Sequence, residues 1–413
     1  MFGLVALWNA METLVLLTGH GGDDRRHPPS HEEDHVVVVA PSAMPESTAP
    51  LLLVAIPTVA PTPAPTSTIK TNSIGAYKSN LPVGPMPTAP VTKPIPTLTT
   101  CNGARTAKPG ETVFITIDDG PAASGRANIL MAMHQLNTAR TGPPPVYLTF
   151  FESGYNFCGD TTNTISKLQC TPDVFDNATA RMVWTVKAGH ALGAHSDTHF
   201  YDDGASNCNY IKTNAATVIE DSMTTCGNTI ASDFVRGAKH VENALQAANA
   251  WSTDADKELL AKAIHDIWSY VRLPCSNAWK LPGGFSFSSG FRAVDTQAER
   301  AARLGAADDM FAGTLPCRNP LYQGKPWSSF GWDAEWKLGR GGSVDSSREK
   351  CNVVHTIARA FDQKENRGLN KNAVVVLTHD YFFDTLDKAL VLRDVIHELQ
   401  LLGYSFSTID KYK

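Results

Sequence analysis

Glu111-Thr-Val-Phe-Ile-Thr-Ile-Asp-Asp-Gly-Pro121 reads as a buried strand that runs out into two carboxylates. Val113, Ile115 and Ile117 alternate with Phe114 and Thr116, a β-branched and aromatic run with no room for a helix. Gly120-Pro121 stops it and leaves Asp118 and Asp119 at its C-terminal end. In an α/β barrel that end is where an active site is built. Asp, Gly and Pro also favour turns, so on this stretch alone a polar turn and a functional strand end are both open. Adjacent residues of a regular strand point to opposite faces, which lets the two carboxylates take different tasks.

Outward from this strand, helical and strand-like patterns alternate to the C-terminus. Helical spacing predicts 125–136, and a second strand follows over 146–151 after the break at Pro143 to Pro145. A helix over 175–188 stops at Gly189, and the apolar run 191–194 ends in His195. Helices are predicted over 235–250 and 254–270, then a brief apolar run at 269–272 and a short helix over 299–304 leading to Gly305. A strand at 329–332, a helix over 353–361 and a buried strand at 373–378 come next. A helix over 386–402, capped by Gly403, leads to a last strand at 404–409. Such alternation argues for a parallel α/β barrel or a doubly wound sheet.

The chain has 413 residues, enough for one large domain or two ordinary ones. A formal charge of −5 with no basic tract argues against nucleic acid as a partner. The charged fraction of 19% leans toward secreted hydrolases. Eight scattered cysteines form no Cys-x-x-Cys pair, so a structural zinc site is not expected. Their even number, with none before Cys101, fits disulfides formed outside the cytoplasm, with buried thiols as the alternative. Residues 2–17 are moderately apolar but carry Asn9 and Glu12 and lack a basic n-region, and 51–56 is too short to span a bilayer. Neither a membrane span nor a clear signal peptide is therefore predicted. From Pro41 to Pro96 lie thirteen of the chain's 26 prolines among Thr, Ala, Val and Ser. That composition cannot bury enough apolar surface to offset backbone entropy, so 1–100 reads as a disordered tail or linker. The remainder, 101–413, reads as one catalytic domain with a helical insertion near 200–270.

Polar residues able to bind metal or move protons recur where strands run out. Asp118 and Asp119 follow the first, His195 and His199 the third, and Arg272 ends a short run. Asp333 and Trp336 end another, and His379-Asp380 follow the most apolar strand. In His195-Ser-Asp-Thr-His199, Gly193 and the lack of helical periodicity indicate a loop that converges two imidazoles. Joined to a carboxylate they make a two-His, one-carboxylate set, suited to hydrolytic zinc and also to non-haem iron.

Thr116-Ile-Asp-Asp-Gly-Pro121 resembles the first motif of the polysaccharide deacetylase (NodB-homology) family, carbohydrate esterase family 4. The segment from Gly189-His190 to His195-Ser-Asp-Thr-His199 is similar to its second motif, and Val376-Leu-Thr-His-Asp380 to its last. Thr149-Phe-Phe151 and Gly403-Tyr-Ser-Phe406 resemble the family's second and closing strands. The resemblance implies a distorted (β/α) barrel and a chitin deacetylase-like activity. It implies that Asp119, His195 and His199 bind a divalent metal, zinc by expectation, with cobalt or another divalent ion as alternatives. Asp118 would be the general base and His379 the general acid. Arg272 would hold the base, and Asp333 would keep His379 charged. The Cys275 N–H would stabilise an oxyanion, and Trp332 or Trp336 would wall the sugar site.

The implied substrate is an N-acetylated, GlcNAc-containing polysaccharide, chitin or chitooligosaccharide first and peptidoglycan second, cut by a secreted monomer. An O-acetyl xylan esterase of the same fold and a catalytically decayed glycan-binding protein are the alternatives. An iron and 2-oxoglutarate oxygenase would need a many-stranded β-helix that the helix–strand alternation does not offer. Two departures stand out: Ile117 replaces the family's Phe, and Leu273-Pro-Cys-Ser276 follows Arg272 where the family has Pro-Pro-Tyr/Phe-Gly. His134, His190, His240, His265, His355 and His397 read as surface or satisfied core histidines, and Trp184, Trp251, Trp268 and Trp279 as packing.

Overall fold

The computed structural model describes residues 82–88, 94–95, 97–123, 125–139, 143–157, 172–197, 199, 210, 226, 229–289, 296–339, 344–364 and 370–413. Most of the predicted tail, and most of the insertion between 200 and 228, lie outside the described residues. The order is β1 (Thr112–Gly120), α1 (Gly125–Thr138), β2 (Thr149–Glu152), α2 (Pro172–Lys187), β3 (Ala191–Ala194), α3 (Ile230–Ala247), α4 (Asp254–Ile267) and β4 (Tyr270–Val271). There follow β5 (Asn277–Lys280), β6 (Ser286–Ser289), α5 (Gln297–Ala312), β7 (Ser328–Ser329), β8 (Ala334–Glu335), α6 (Ser346–Lys364), β9 (Ala373–His379), α7 (Leu386–Leu401) and β10 (Ser405–Phe406).

β1 is the central stave, parallel to β2 on one side and to β9 on the other, with β10 added at its start. Parallel pairing continues from β2 to β3, from β3 to β4 and from β4 to β7. At the other end β8 lies parallel to β9. β7 and β8 belong to one passage of chain. Phe330 N–H donates to the Val271 carbonyl (2.9 Å), and three residues on Asp333 N–H donates to the Val375 carbonyl (2.8 Å). One broken stave therefore leaves β4 and joins β9, which closes a distorted (β/α) barrel. The break is at Gly331, where a Cβ would come within 1.9 Å of Asn277 Oδ1 and 2.3 Å of Trp279 Nε1. Only glycine fits there.

The alternation of β1 sorts its side chains into two cores. Val113, Ile115 and Ile117 face the helices, in one layer with Ile129, Met133, Val374, Val376, Leu392 and Val395. Phe114 faces inward, beside Phe151, Trp279, Phe330, Val375 and Leu377. The outer layer carries a disulfide between Cys101 and Cys351, which ties the start of the domain to α6. No described helix is long and apolar enough to cross a membrane.

Several elements differ from the sequence expectation. α5 does not stop at Gly305 but runs on to Gly313, the left-handed cap at φ 71°. Its capping box, Thr296 with Glu299, starts it firmly, and one interior glycine costs only about 1 kcal/mol. The strand predicted at 329–332 begins in β7 at Ser329 and otherwise falls in the gap between β7 and β8. The β5–β6 hairpin, serine-rich and weakly alternating, was not legible.

Candidate metal and acid–base site

The site is assembled at the C-terminal ends of the staves. Asp118 and His379 are paired in register across β1 and β9, so a carboxylate and an imidazole start as neighbours. Asp118 turns into the barrel, where Arg272 Nη1 donates to its Oδ1 at 3.0 Å. The rest of the fully buried guanidinium is spent on the Thr116 hydroxyl (2.5 Å) and the carbonyls of Phe330 (3.0 Å) and Gly331 (2.8 Å). It also lies over the Phe151 ring, 4.4 Å from the centroid. Arg272 thus has one anionic partner, and Asp118 keeps its second oxygen 3.7 Å from His195 Nε2.

Asp119 reaches the same side by a different route. Its φ of 64° is left-handed, which swings its carboxylate back over the barrel mouth. β1 continues through Gly120, and the left-handed backbone at Asp119 orients the two carboxylates. The Asn156 amide holds the carbonyls of Asp119 (3.1 Å) and Gly120 (2.7 Å). Asp119 Oδ1 then stands 3.4 Å from His195 Nε2 and 3.2 Å from His199 Nε2. Burial would raise this carboxyl, but the imidazoles of His199, His195 and His379 hold it well below the usual carboxylate range.

His195 is buried and its Nδ1 donates to the Arg272 carbonyl at 2.8 Å, which fixes the tautomer and turns Nε2 to the mouth. His199 follows Ser196 in a loop with left-handed residues at both positions, φ 74° and 66°. The Ser196 hydroxyl accepts the His199 N–H at 3.0 Å. The loop expected from sequence is therefore present. Ligand atoms of Asp119, His195 and His199 all lie within 4.8 Å of one another. Asp119 Oδ1 is buried with no hydrogen-bond partner among the described residues. A buried, orphaned carboxylate oxygen facing two imidazole nitrogens fits a divalent cation.

His379 ends β9 with its ring against Tyr381 (5.1 Å) and Phe382 (5.5 Å). Burial pushes its pKa down, opposed by the charges of Asp119, Asp118 and Glu335. Asp333, expected to serve His379, is placed elsewhere: its Oδ2 accepts the Val375 N–H at 2.8 Å. The register explains the change. Glu335 pairs with Leu377 of β9, whereas Asp333 is bonded at Val375, farther from the strand end. The acids acting on His379 are thus Asp119 first and Asp118 second, with Glu335, itself paired with Lys337 at 3.2 Å, a smaller influence.

The two tryptophans part company as well. Trp332 belongs to the inner core, 5.9 Å from the Arg272 guanidinium. Trp336 lies in the outer layer, donates from Nε1 to Glu349 (2.7 Å) and packs on Phe383, so it does not wall the mouth. Cys275 follows Arg272 in a left-handed conformation (φ 48°) and is disulfide-bonded. The Tyr210 hydroxyl donates to the adjoining Pro274 carbonyl at 2.8 Å. His190 stays structural: its Nδ1 accepts the Leu148 N–H at 3.0 Å, and burial lowers its pKa to about 3.

Two buried ionic groups escaped the sequence reading. Asp197, between the two site histidines, accepts no simple solvent role: its N–H donates to Asp233 at 3.1 Å, and Asp233 pairs with Arg236 of α3 at 2.8 Å. Behind β1, Arg126 pairs with Glu152 (2.8 Å) and Asp380 (2.9 Å), all three essentially inaccessible. A signal for the second group was present. Arg126 leads Ile129, Leu130 and Met133 at helical spacing, a cation on an otherwise apolar face.

Fold and site together define a (β/α) barrel with an Asp/His/His cluster able to hold a metal ion at its mouth. No protein-family model matches the chain, and no curated protein matches it. Among solved structures it is similar to a peptidoglycan N-acetylglucosamine deacetylase, Bc1960, at 15% identity and a TM-score of 0.33, over 76% of this chain and 90% of that one. It is similar also to a CE4 esterase of Streptococcus mutans at 19% identity and a TM-score of 0.35, over 73% and 86% of the two chains. A family 4 carbohydrate esterase from Bacillus anthracis matches at 16% identity and a TM-score of 0.33, over 75% and 85%.

Proposed function

We propose that the protein is a metal-dependent polysaccharide deacetylase that removes N-acetyl groups from a GlcNAc-containing glycan. The observation that carries this reading is the convergence of Asp119, His195 and His199 within 4.8 Å, with Asp118 and His379 on the same mouth. Asp119, His195 and His199 would hold the divalent ion, zinc by expectation, which when bound polarises an amide carbonyl and acidifies water. Asp118 takes the proton of the attacking water at its carboxylate. Arg272 aims that carboxylate, donating to its Oδ1 at 3.0 Å. His379 delivers a proton to the departing amine nitrogen, which leaves poorly as an anion. Asp119 and Asp118, with a smaller contribution from Glu335, support the protonated form of His379 against burial. The Cys275 N–H is the proposed oxyanion donor, and Trp332 offers an aromatic face near the base.

Chitin or chitooligosaccharide is the first substrate to test and peptidoglycan the second. The disulfide between Cys101 and Cys351 supports a secreted, extracytoplasmic location. The test is acetate release by the full-length chain with zinc or cobalt from chitooligosaccharides, peptidoglycan and acetylxylan, with and without a chelator. Chelator-sensitive release from the GlcNAc glycans is expected. Absence of release from every glycan overturns the enzyme reading, and release from acetylxylan alone makes the protein an O-acetyl esterase.

A further inference from the structure

We infer that Arg126 is a positioning residue that locks the strand ends bearing Asp119 and His379 into one spacing, acting through Glu152 and Asp380. The inference rests on the metal and acid–base reading above. Arg126 sits in the first turn of α1, entirely buried, on the opposite side of the sheet from Arg272. Its guanidinium lies 3.9 Å from the Phe150 ring centroid and donates from Nη1 to the Thr185 hydroxyl of α2 at 3.0 Å. Its two carboxylate partners come from different staves. Glu152 closes β2, and Asp380 follows His379 directly at the end of β9.

The network bears on the backbone that carries Asp119. A Cβ on Gly120 would lie 2.0 Å from Arg126 Nη2, 2.6 Å from Asp380 Oδ2 and 2.7 Å from Glu152 Oε2. The ionic cluster therefore presses against the residue that follows the metal-site aspartate. Asp380 Oδ2 also accepts the Ala122 N–H at 3.0 Å, so one carboxylate spans from the His379 stave to the loop after Asp119. Glu152 contributes from the third side: its carbonyl accepts the His195 N–H at 2.8 Å. One guanidinium thus ties together the backbones of Asp119, His195 and His379, and touches none of their side chains. Asp119 Oδ2 and His379 Nε2 are 4.0 Å apart, a separation that a shift of either stave end would change.

A lysine keeps the charge but cannot bridge two carboxylates in a fork. In Arg126→Lys, kcat for acetate release is expected to fall about thirtyfold with KM unchanged, as for a misplacement of somewhat less than about 1 Å. The visible absorption bands of the cobalt-loaded protein are expected to shift, because Asp119 leaves its ligand position. Asp380→Asn, which keeps an oxygen for the Ala122 N–H, provides the second variant and should change kcat and the cobalt bands in the same direction. Unchanged kcat and cobalt bands in the folded variants, with only a lower melting temperature, overturn the positioning role. If Arg126→Lys does not fold, the Asp380→Asn result decides in the same way. Wild-type protein that binds cobalt but releases no acetate overturns the deacetylase reading alone, and the cobalt bands still test Arg126.

Discussion

Two arginines, one on each face of β2, do chemically different work with the same group. Phe150 and Phe151 are adjacent, so their rings point to opposite faces, and each supports a guanidinium: Arg126 outside and Arg272 inside. Inside, one cation meets one carboxylate, and neutral acceptors satisfy the rest of it. Asp118 keeps one oxygen toward the site, 3.7 Å from His195 Nε2. Outside, one cation meets two carboxylates with no accessible surface. Arg181 adds a second positive charge nearby, yet burial outweighs both cations, pushing Glu152 up to about 7 and raising Asp380 as well. The difference teaches how to tell a working buried ion pair from a fastening one. The working pair leaves a carboxylate oxygen facing a site imidazole, whereas the fastening pair encloses both acids.

The sharpest break of the inner pair is Asp118→Asn. It removes the proton acceptor but leaves Asp119, His195 and His199 in place, so kcat should fall about 10³-fold, within the range of a lost general base, while cobalt is retained. Metal titration by visible absorption, run beside acetate release, separates these two outcomes. Retained activity would mean that Asp118 is only the counter-ion of Arg272. Arg272→Lys is the next largest. A lysine cannot reach the Thr116 hydroxyl, two carbonyls and Asp118 together, so a loss of about 10²-fold in kcat is expected.

The tryptophans sharpen the same inside–outside contrast with a smaller effect. Trp332→Ala should raise KM about fivefold, the scale of one aromatic sugar contact. Trp336→Phe, in the outer layer, should leave KM unchanged within error. A KM shift confined to Trp336 would reverse the placement of the sugar site.

The inner side of this contrast was legible in the chain, and the outer side largely was not. Strand ends announce themselves because an apolar period of two breaks into Asp, His or Arg, as at Asp118, His195 and His379. A short motif then names partners far apart in sequence. Asp333 and Trp336 show where such reading fails. Their segment is one stave broken at Gly331, and a break shifts which side chains face inward and how far along β9 each one sits. Glu335 was hidden by the same slip. The Arg126 network stayed unread for a different reason. A buried ion cluster needs three distant elements at once, and Glu152 and Asp380 look like ordinary polar residues at the ends of apolar runs.

The smallest effect belongs to His190, which extends the outer layer. Its ring packs edge-on to Phe150 at 5.5 Å, and burial, aided by the positive charge of Arg126, depresses its pKa from 6.5 to about 3. A histidine whose folded pKa lies below its unfolded value binds fewer protons in the native state. Its contribution to stability is full above about 6.5, the unfolded value, and is lost as pH falls toward 3. At pH 4 the loss from this one residue is about 3 kcal/mol. His190→Asn keeps an acceptor for the Leu148 N–H but cannot take up a proton in this range. The two proteins are compared by thermal unfolding between pH 4 and 8. The variant should be slightly less stable near pH 8, where it loses ring packing, and should lose less stability toward pH 4. Parallel curves would mean that the ring takes up its proton at the same pH in the native and unfolded states, which its burial and the positive charge of Arg126 beside it oppose.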